Sequence, residues 1–164
     1  MKFIVLQTDF GTLSPVMTGM CKLVDRELQV FDLTHMVPKF NVKAAGKNLV
    51  ETLPCWPKGT VFVSVCDPGV GTPRKASIAR TANGYYIVTP DNGTLTEIIK
   101  AFGIEEIREI DQTINRYHGN EWSSKSDIFH GRDIFAYCGA RLASGIITFE
   151  EVGPAYPVEE IVLV

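Results

Sequence analysis

No run of lysine or arginine forms a basic stripe in this sequence, and its formal net charge is −3. A partner built on a phosphate backbone calls for such a stripe, so nucleic-acid binding is not expected. No apolar stretch approaches the ~18 residues that cross a bilayer, so no membrane partner is expected either. The four cysteines, Cys21, Cys55, Cys66 and Cys138, include no Cys-x-x-Cys pair. That spacing disfavours a zinc or dithiol site and fits small buried thiols in a reducing compartment. The first residues, Met1 to Gln7, are too short for a signal h-region and run directly into Thr8-Asp9. There is no internal repeat and no low-complexity segment. A cytoplasmic protein is expected.

What is present is ordinary for a globular domain: 164 residues, 45% hydrophobic and 21% charged, with a pI near 5.6. That length is one domain, long enough to bury most of its apolar surface. The pattern predicts strands at 3–7, 28–33, 60–66, 76–81, 85–89 and 107–110. It predicts helices from Pro15 to Arg26 with Ser14 as N-cap, from an Asn41 cap to about Leu53, over 94–102 and over 131–144. Asn83-Gly84 is a hairpin signal between 76–81 and 85–89. Residues 111–128 are polar and irregular, long enough for a functional loop. The ending Val158 to Val164 is apolar and strand-like. Alternating strands and helices indicate an α/β layered fold with a mostly parallel central sheet flanked by helices.

Chemistry concentrates in loops after apolar segments. Cys66-Asp67-Pro68-Gly69-Val70-Gly71-Thr72-Pro73-Arg74 follows the run Val61 to Val65 and sets an acid and a base seven residues apart. Thr8-Asp9-Phe10-Gly11, Asp32-Leu33-Thr34-His35, Pro90-Asp91-Asn92-Gly93 and Phe129-His130-Gly131-Arg132-Asp133 are the other four. Ligands of open α/β sheets bind at the carboxyl ends of strands, so five such loops read as one rim.

On the residues alone, Asp67 and Arg74 either pair to hold their loop or act on a ligand, and both readings stay open. Asp9 forms an Asx turn or binds. His35 bridges its loop or works in the site, His118 is solvated, and Arg132 with Asp133 starts a helix. Gly69-Val70-Gly71 fits neither the P-loop nor Gly-x-Gly-x-x-Gly, because Arg74 stands where the third glycine belongs. Carboxylates at Asp9, Asp32, Asp67 and Asp91 suit Mg²⁺, but no spacing argues for a metal, and none is expected.

The five motifs, in order along essentially the whole chain, resemble the S-adenosyl-L-methionine hydroxide adenosyltransferases, the S-adenosylmethionine hydrolases related to the fluorinase and chlorinase. The resemblance implies hydrolysis of S-adenosyl-L-methionine (SAM) to adenosine and methionine by attack of water on ribose C5′, with no cofactor. It places the water-activating residues on Asp67, Arg74 and His130 and the ribose-binding carboxylate on Asp9. Phe40 stands against the ribose in relatives, and Asn92 and Phe129 fall in motifs that line the same pocket. The family usually carries an Asp and a Tyr after Thr-Asp-Phe-Gly, where this chain has Ser14-Pro15-Val16-Met17. It also continues into a C-terminal β-rich domain that grips adenine and methionine from a neighbouring subunit of a homotrimer. This chain stops at Val164, so it is read as the N-terminal catalytic domain alone. Two rivals remain: a SAM-dependent halogenase, disfavoured because Asp67 repels halide, and a non-catalytic adenosine-binding or assembly remnant.

Overall fold

The computed structural model describes residues 2–119 and 129–164. One seven-stranded sheet organises them, in the order β2-β1-β3-β5-β4-β6-β7. The strands are β1 (Phe3–Thr8), β2 (Gln29–Thr34), β3 (Val61–Val65), β4 (Ala76–Thr81), β5 (Tyr86–Pro90), β6 (Ile104–Glu109) and β7 (Ala155–Tyr156). Pairing is parallel from β2 through β1 and β3 to β5. It turns antiparallel at β5–β4, β4–β6 and β6–β7. The sheet is thus parallel at its centre and antiparallel toward one edge. The short β7 has no counterpart in the sequence pattern.

Period-2 alternation splits the core. Ile4, Leu6, Val63, Val65 and Val88 face one layer, with Met17, Met20, Phe135 and Cys138. Val5, Phe62 and Ile87 face the other, with Leu49, Leu53 and Ile98. Both faces of β1 and β3 are covered, which is why these strands read as continuous apolar runs. The first layer holds α1 (Pro15–Val24) and the second α2 (Val42–Thr52) and α3 (Thr96–Ala101). The last helix is a π-helical turn, Gly131–Ala136, continuing as α4 (Tyr137–Ala143) against the first layer. No helix among the described residues is long and apolar enough to cross a membrane.

Local chemistry explains most element ends. The Asn41 side chain accepts from the Ala44 amide at 2.9 Å and caps α2. Gly84, at φ 95°, closes the β4–β5 hairpin. The expected Ser14 cap is not made: a 3₁₀ turn, Gly11–Leu13, feeds the helix and leaves Ser14 in helical geometry (φ −55°, ψ −30°) with no side-chain cap bond. Pro15 does open α1, which ends at Val24 because Asp25 is extended. The strand expected at the C-terminus is not formed either. Val158–Glu160 is a 3₁₀ turn, Ile161 is buried, and the amides of Val162 and Val164 bond to side chains, Asp91 at 2.9 Å and Thr96 at 3.0 Å. Part of the long polar loop, 120–128, lies outside the described residues.

Candidate active site

Connections from β1 run outward to β2 and then back across to β3, so the winding reverses between β1 and β3. Open α/β sheets hold ligands at such a switch point. The two loops leaving it carry Asp9 and Asp67. Asp9 is tied to the neighbouring strand through its amide, which donates to the Val65 carbonyl at 3.3 Å. Its carboxylate accepts from the Phe40 amide at 2.9 Å. Phe40 is the only non-glycine residue at positive φ (60°) among those described. Left-handed backbone is unfavourable for a bulky aromatic and persists where the surroundings impose it; here the Asp9 acceptor does so. Beside them, burial and then the Asp9 carboxylate push the Cys66 thiol up to about 12, so it stays neutral.

Asp67 and Arg74 stand at the two ends of the glycine–proline loop and meet across it. The Arg74 Nε lies 3.1 and 3.2 Å from the two Asp67 oxygens, and Nη2 also donates to Oδ2. The same Nη2 is 2.9 Å from Nδ1 of His130. A guanidinium only donates, so Nδ1 must accept and the His130 proton sits on Nε2. The pair is buried, with side chains 9% and 6% exposed, and the Phe135 ring lies 5.3 Å from the guanidinium carbon. A buried charge pair this dry is stable only as a pair.

Gly131, next to His130, lets another wall close in. A Cβ there would come within 2.6 Å of the Phe10 ring. Phe10 meets Phe129 edge-on at 6.3 Å, and the Arg132 guanidinium stacks over Phe129 at 4.8 Å. These groups enclose a cleft of about 220 Å³ lined by Asp9, Phe10, Phe40, Asp67, Phe129 and Gly131, with Lys39 and Val70 at its edge. Larger grooves, about 490 Å³ near Lys58 and about 380 Å³ against α2, are lined by no buried charged side chain. The site is chosen on chemistry rather than on size.

The fold therefore brings Asp9, Phe40, Asp67 and Phe129 to one cleft, with Arg74 and His130 joined to Asp67. Asn92 lines no part of it; its amide donates to the Cys66 carbonyl at 2.9 Å, immediately before Asp67. Asp32 is taken by His35 at 2.8 Å, whose other ring nitrogen meets Thr8 Oγ1 at 2.7 Å. Asp91 is taken by Tyr156 and Val162, so the four aspartates are dispersed onto separate partners. His118 is exposed, and Arg132 pairs with the buried Asp133 at 2.7 Å. Sequence reasoning missed Lys39, Phe10 and Phe135. Phe10 lay inside a quoted motif and Lys39 beside Phe40, whereas Phe135 carried no signal.

Residues 4–153 match the model of the SAM hydroxide adenosyltransferase N-terminal domain. The chain is 35% identical over 146 residues to an (R)-S-adenosyl-L-methionine hydrolase of Methanocaldococcus jannaschii, covering 85% of this chain and 52% of that protein. It is 40% identical over 128 residues to one of Salinispora arenicola, covering 77% and 46%. A crystal structure of a conserved protein from Thermotoga maritima superposes with a TM-score of 0.89 at 38% identity, over 97% of this chain and 60% of that one. The chain spans about half the length of the curated relatives it matches.

Proposed function

The chain belongs to the SAM hydroxide adenosyltransferase family, and from that premise we propose that its cleft binds SAM and directs water onto ribose C5′. The C5′–sulfur bond breaks, the C–O bond forms, and the products are adenosine, methionine and one proton. The observation that carries this reading is the Arg74 bridge from Asp67 to His130 along a cleft whose other side is Asp9 and Phe40.

The sulfonium leaves as a neutral thioether, so no acid has to protonate it. What the site supplies is an aligned nucleophile in a dry cleft. Arg74 stabilises hydroxide character on the water, Asp67 and His130 orient it, and Asp67 takes up the proton, because the His130 Nδ1 already accepts from Arg74. Positive sulfonium and developing negative oxygen neutralise each other, which a low-dielectric cleft favours. Asp9 accepts from the 2′- and 3′-hydroxyls. A carboxylate offers about four acceptor positions, and the Phe40 amide takes one of them. Phe10, Phe40 and Phe129 supply rings for the nucleoside and the cationic sulfur. No cofactor enters this scheme.

In this reading the remaining adenine and methionine contacts come from a C-terminal β-rich domain of a neighbouring subunit in a homotrimer. Support lies in the apolar side chains at the cleft mouth: Leu13, Phe40 and Val70 are 59%, 53% and 38% exposed. The buried thiols Cys21, Cys66 and Cys138 support a reducing, cytoplasmic setting.

The test is incubation with SAM of this chain joined to a C-terminal β-rich domain of the family, with and without fluoride or chloride, followed by product separation. Adenosine and methionine independent of halide are expected. A 5′-halogenated nucleoside would make the protein a halogenase, and adenosine binding without turnover would make it a binding remnant.

Removing the Asp9 carboxylate tests the ribose contact. Asp9→Ala is expected to weaken adenosine binding by about 1.5–3 kcal/mol, the scale for a charged acceptor. Calorimetry with 2′-deoxyadenosine should show a clearly smaller loss. Equal losses would mean that Asp9 acts only by holding Phe40.

A further inference from the structure

Because β5 lies between β3 and β4 in the sheet, the Asp67–Arg74 loop, which runs from the end of β3 to the start of β4, must arch over the carboxyl end of β5. The turn that leaves β5, Pro90-Asp91-Asn92-Gly93, sits beneath that arch and touches both of its feet. Asn92 Nδ2 donates to the Cys66 carbonyl at 2.9 Å, the residue before Asp67. The Asp91 amide donates to the Lys75 carbonyl at 2.9 Å, the residue after Arg74. The Asn92 orientation is set by its partners: a carbonyl only accepts, and Oδ1 is used by the Thr94 amide at 3.3 Å and hydroxyl at 2.8 Å.

Within the arch, the backbone bonds are local turns, from the Val70 amide to the Asp67 carbonyl at 3.3 Å and from the Thr72 amide to the Gly69 carbonyl at 3.0 Å. They shape the loop but do not aim it. Its attitude relative to the sheet is set by the feet and by the Arg74–His130 contact. The turn is itself anchored from outside. The Asp91 carboxylate, 3% exposed, accepts from the Tyr156 hydroxyl at 2.8 Å and the Val162 amide at 2.9 Å. Tyr156 also meets Ser77 Oγ at 2.8 Å, and the Lys75 ammonium lies 4.9 Å over its ring. One buried carboxylate thus joins the segment 156–162 to the foot of the Arg74 loop.

We propose that Asn92 and Asp91 are positioning residues that clamp both feet of the Asp67–Arg74 loop, and that the segment from Tyr156 to Val162 sets the clamp through the Asp91 carboxylate. The inference rests on the proposed hydrolase reading only for the part played by turnover; the clamp is a property of the loop. Asn92 then serves the reaction without touching the nucleoside.

Asn92→Asp tests this in the chain as expressed, since it keeps the acceptor for Thr94 and replaces the donor to Cys66 with an oxygen that the carbonyl repels. Hydrogen exchange of the Val70 and Thr72 amides, without ligand, is expected to accelerate about 10-fold or more. The kcat for adenosine release should fall by roughly 10- to 100-fold, the scale of misaligned catalytic groups, with KM essentially unchanged. Tyr156→Phe, which removes one hydroxyl that lies outside the cleft lining, should shift both readouts in the same direction by less. It also carries the test if Asn92→Asp does not fold. Unchanged exchange at Val70 and Thr72 overturns the clamp whatever the turnover. Faster exchange with native kcat overturns the positioning role, and a raised KM with native kcat shows direct substrate contact instead. If the unaltered chain releases no adenosine, faster exchange in the variants still upholds the clamp, and only the hydrolase reading falls.

Discussion

Replacing Arg74 by alanine is expected to lower the rate of adenosine release by roughly 10²- to 10³-fold, the scale for losing a preorganised donor at developing negative charge. The guanidinium reaches Asp67 through Nε and Nη2 and His130 through the same Nη2. Lysine carries the charge on a single point and cannot span both partners, so Arg74→Lys should recover only part of the loss. Arg74→Ala also strands the Asp67 carboxylate, which is 7% exposed, and breaking a buried pair costs about 3–5 kcal/mol. Stability and catalysis are separated by the double substitution Asp67→Asn with Arg74→Met, which removes both charges. It should fold nearly as well as the parent and still release no adenosine above background. The comparison is single-turnover product formation beside thermal unfolding. Near-native rates in a folded Arg74→Ala protein would show that the guanidinium only holds the loop.

The largest effect on stability is expected from Phe62→Ala, about 3–5 kcal/mol for truncating a fully buried phenylalanine. Domains are stable by about 5–15 kcal/mol in total, so this is a large share. Phe62 is 1% exposed and makes edge contacts with Trp56 and Tyr85, both at 6.2 Å. It sits on β3 between β1 and β5, facing the layer of Leu49 and Leu53, so neither sheet nor helix can move into the space without breaking a ladder. Urea unfolding should show a lower midpoint at an unchanged slope, and thermal unfolding a fall of roughly 10 °C. A loss under about 1 kcal/mol would mean that this layer collapses around the missing ring.

Phe62 belonged to an apolar run that already marked a strand, and Arg74 to a loop with an acid at its other end. Asn92 was different. It sat in a motif of the family, and the motif alone placed it at the ligand. The structure puts its amide on the Cys66 carbonyl instead, at a distance in sequence that no local pattern reports.

What the amino-acid sequence determined by itself is what local physics controls. The apolar runs of β1 and β3, the Asn41 cap, Pro15 at the start of α1, the Asn83-Gly84 turn and the helix stop at Gly103 (φ 79°) each depend on residues a few positions apart. The motif loops identified the candidate residues for the same reason, as polar punctuation at strand ends. Tertiary structure alone decided that β5 enters between β3 and β4, that β7 pairs with β6, and that Phe40 is held left-handed by Asp9. It alone joined Asp91 to Tyr156 across 65 residues and replaced the expected C-terminal strand with side-chain-bonded amides. Strand partners and buried hydrogen bonds of that separation follow from which arrangement buries both sheet faces and satisfies every polar group at once, a condition on the whole chain rather than on any window of it.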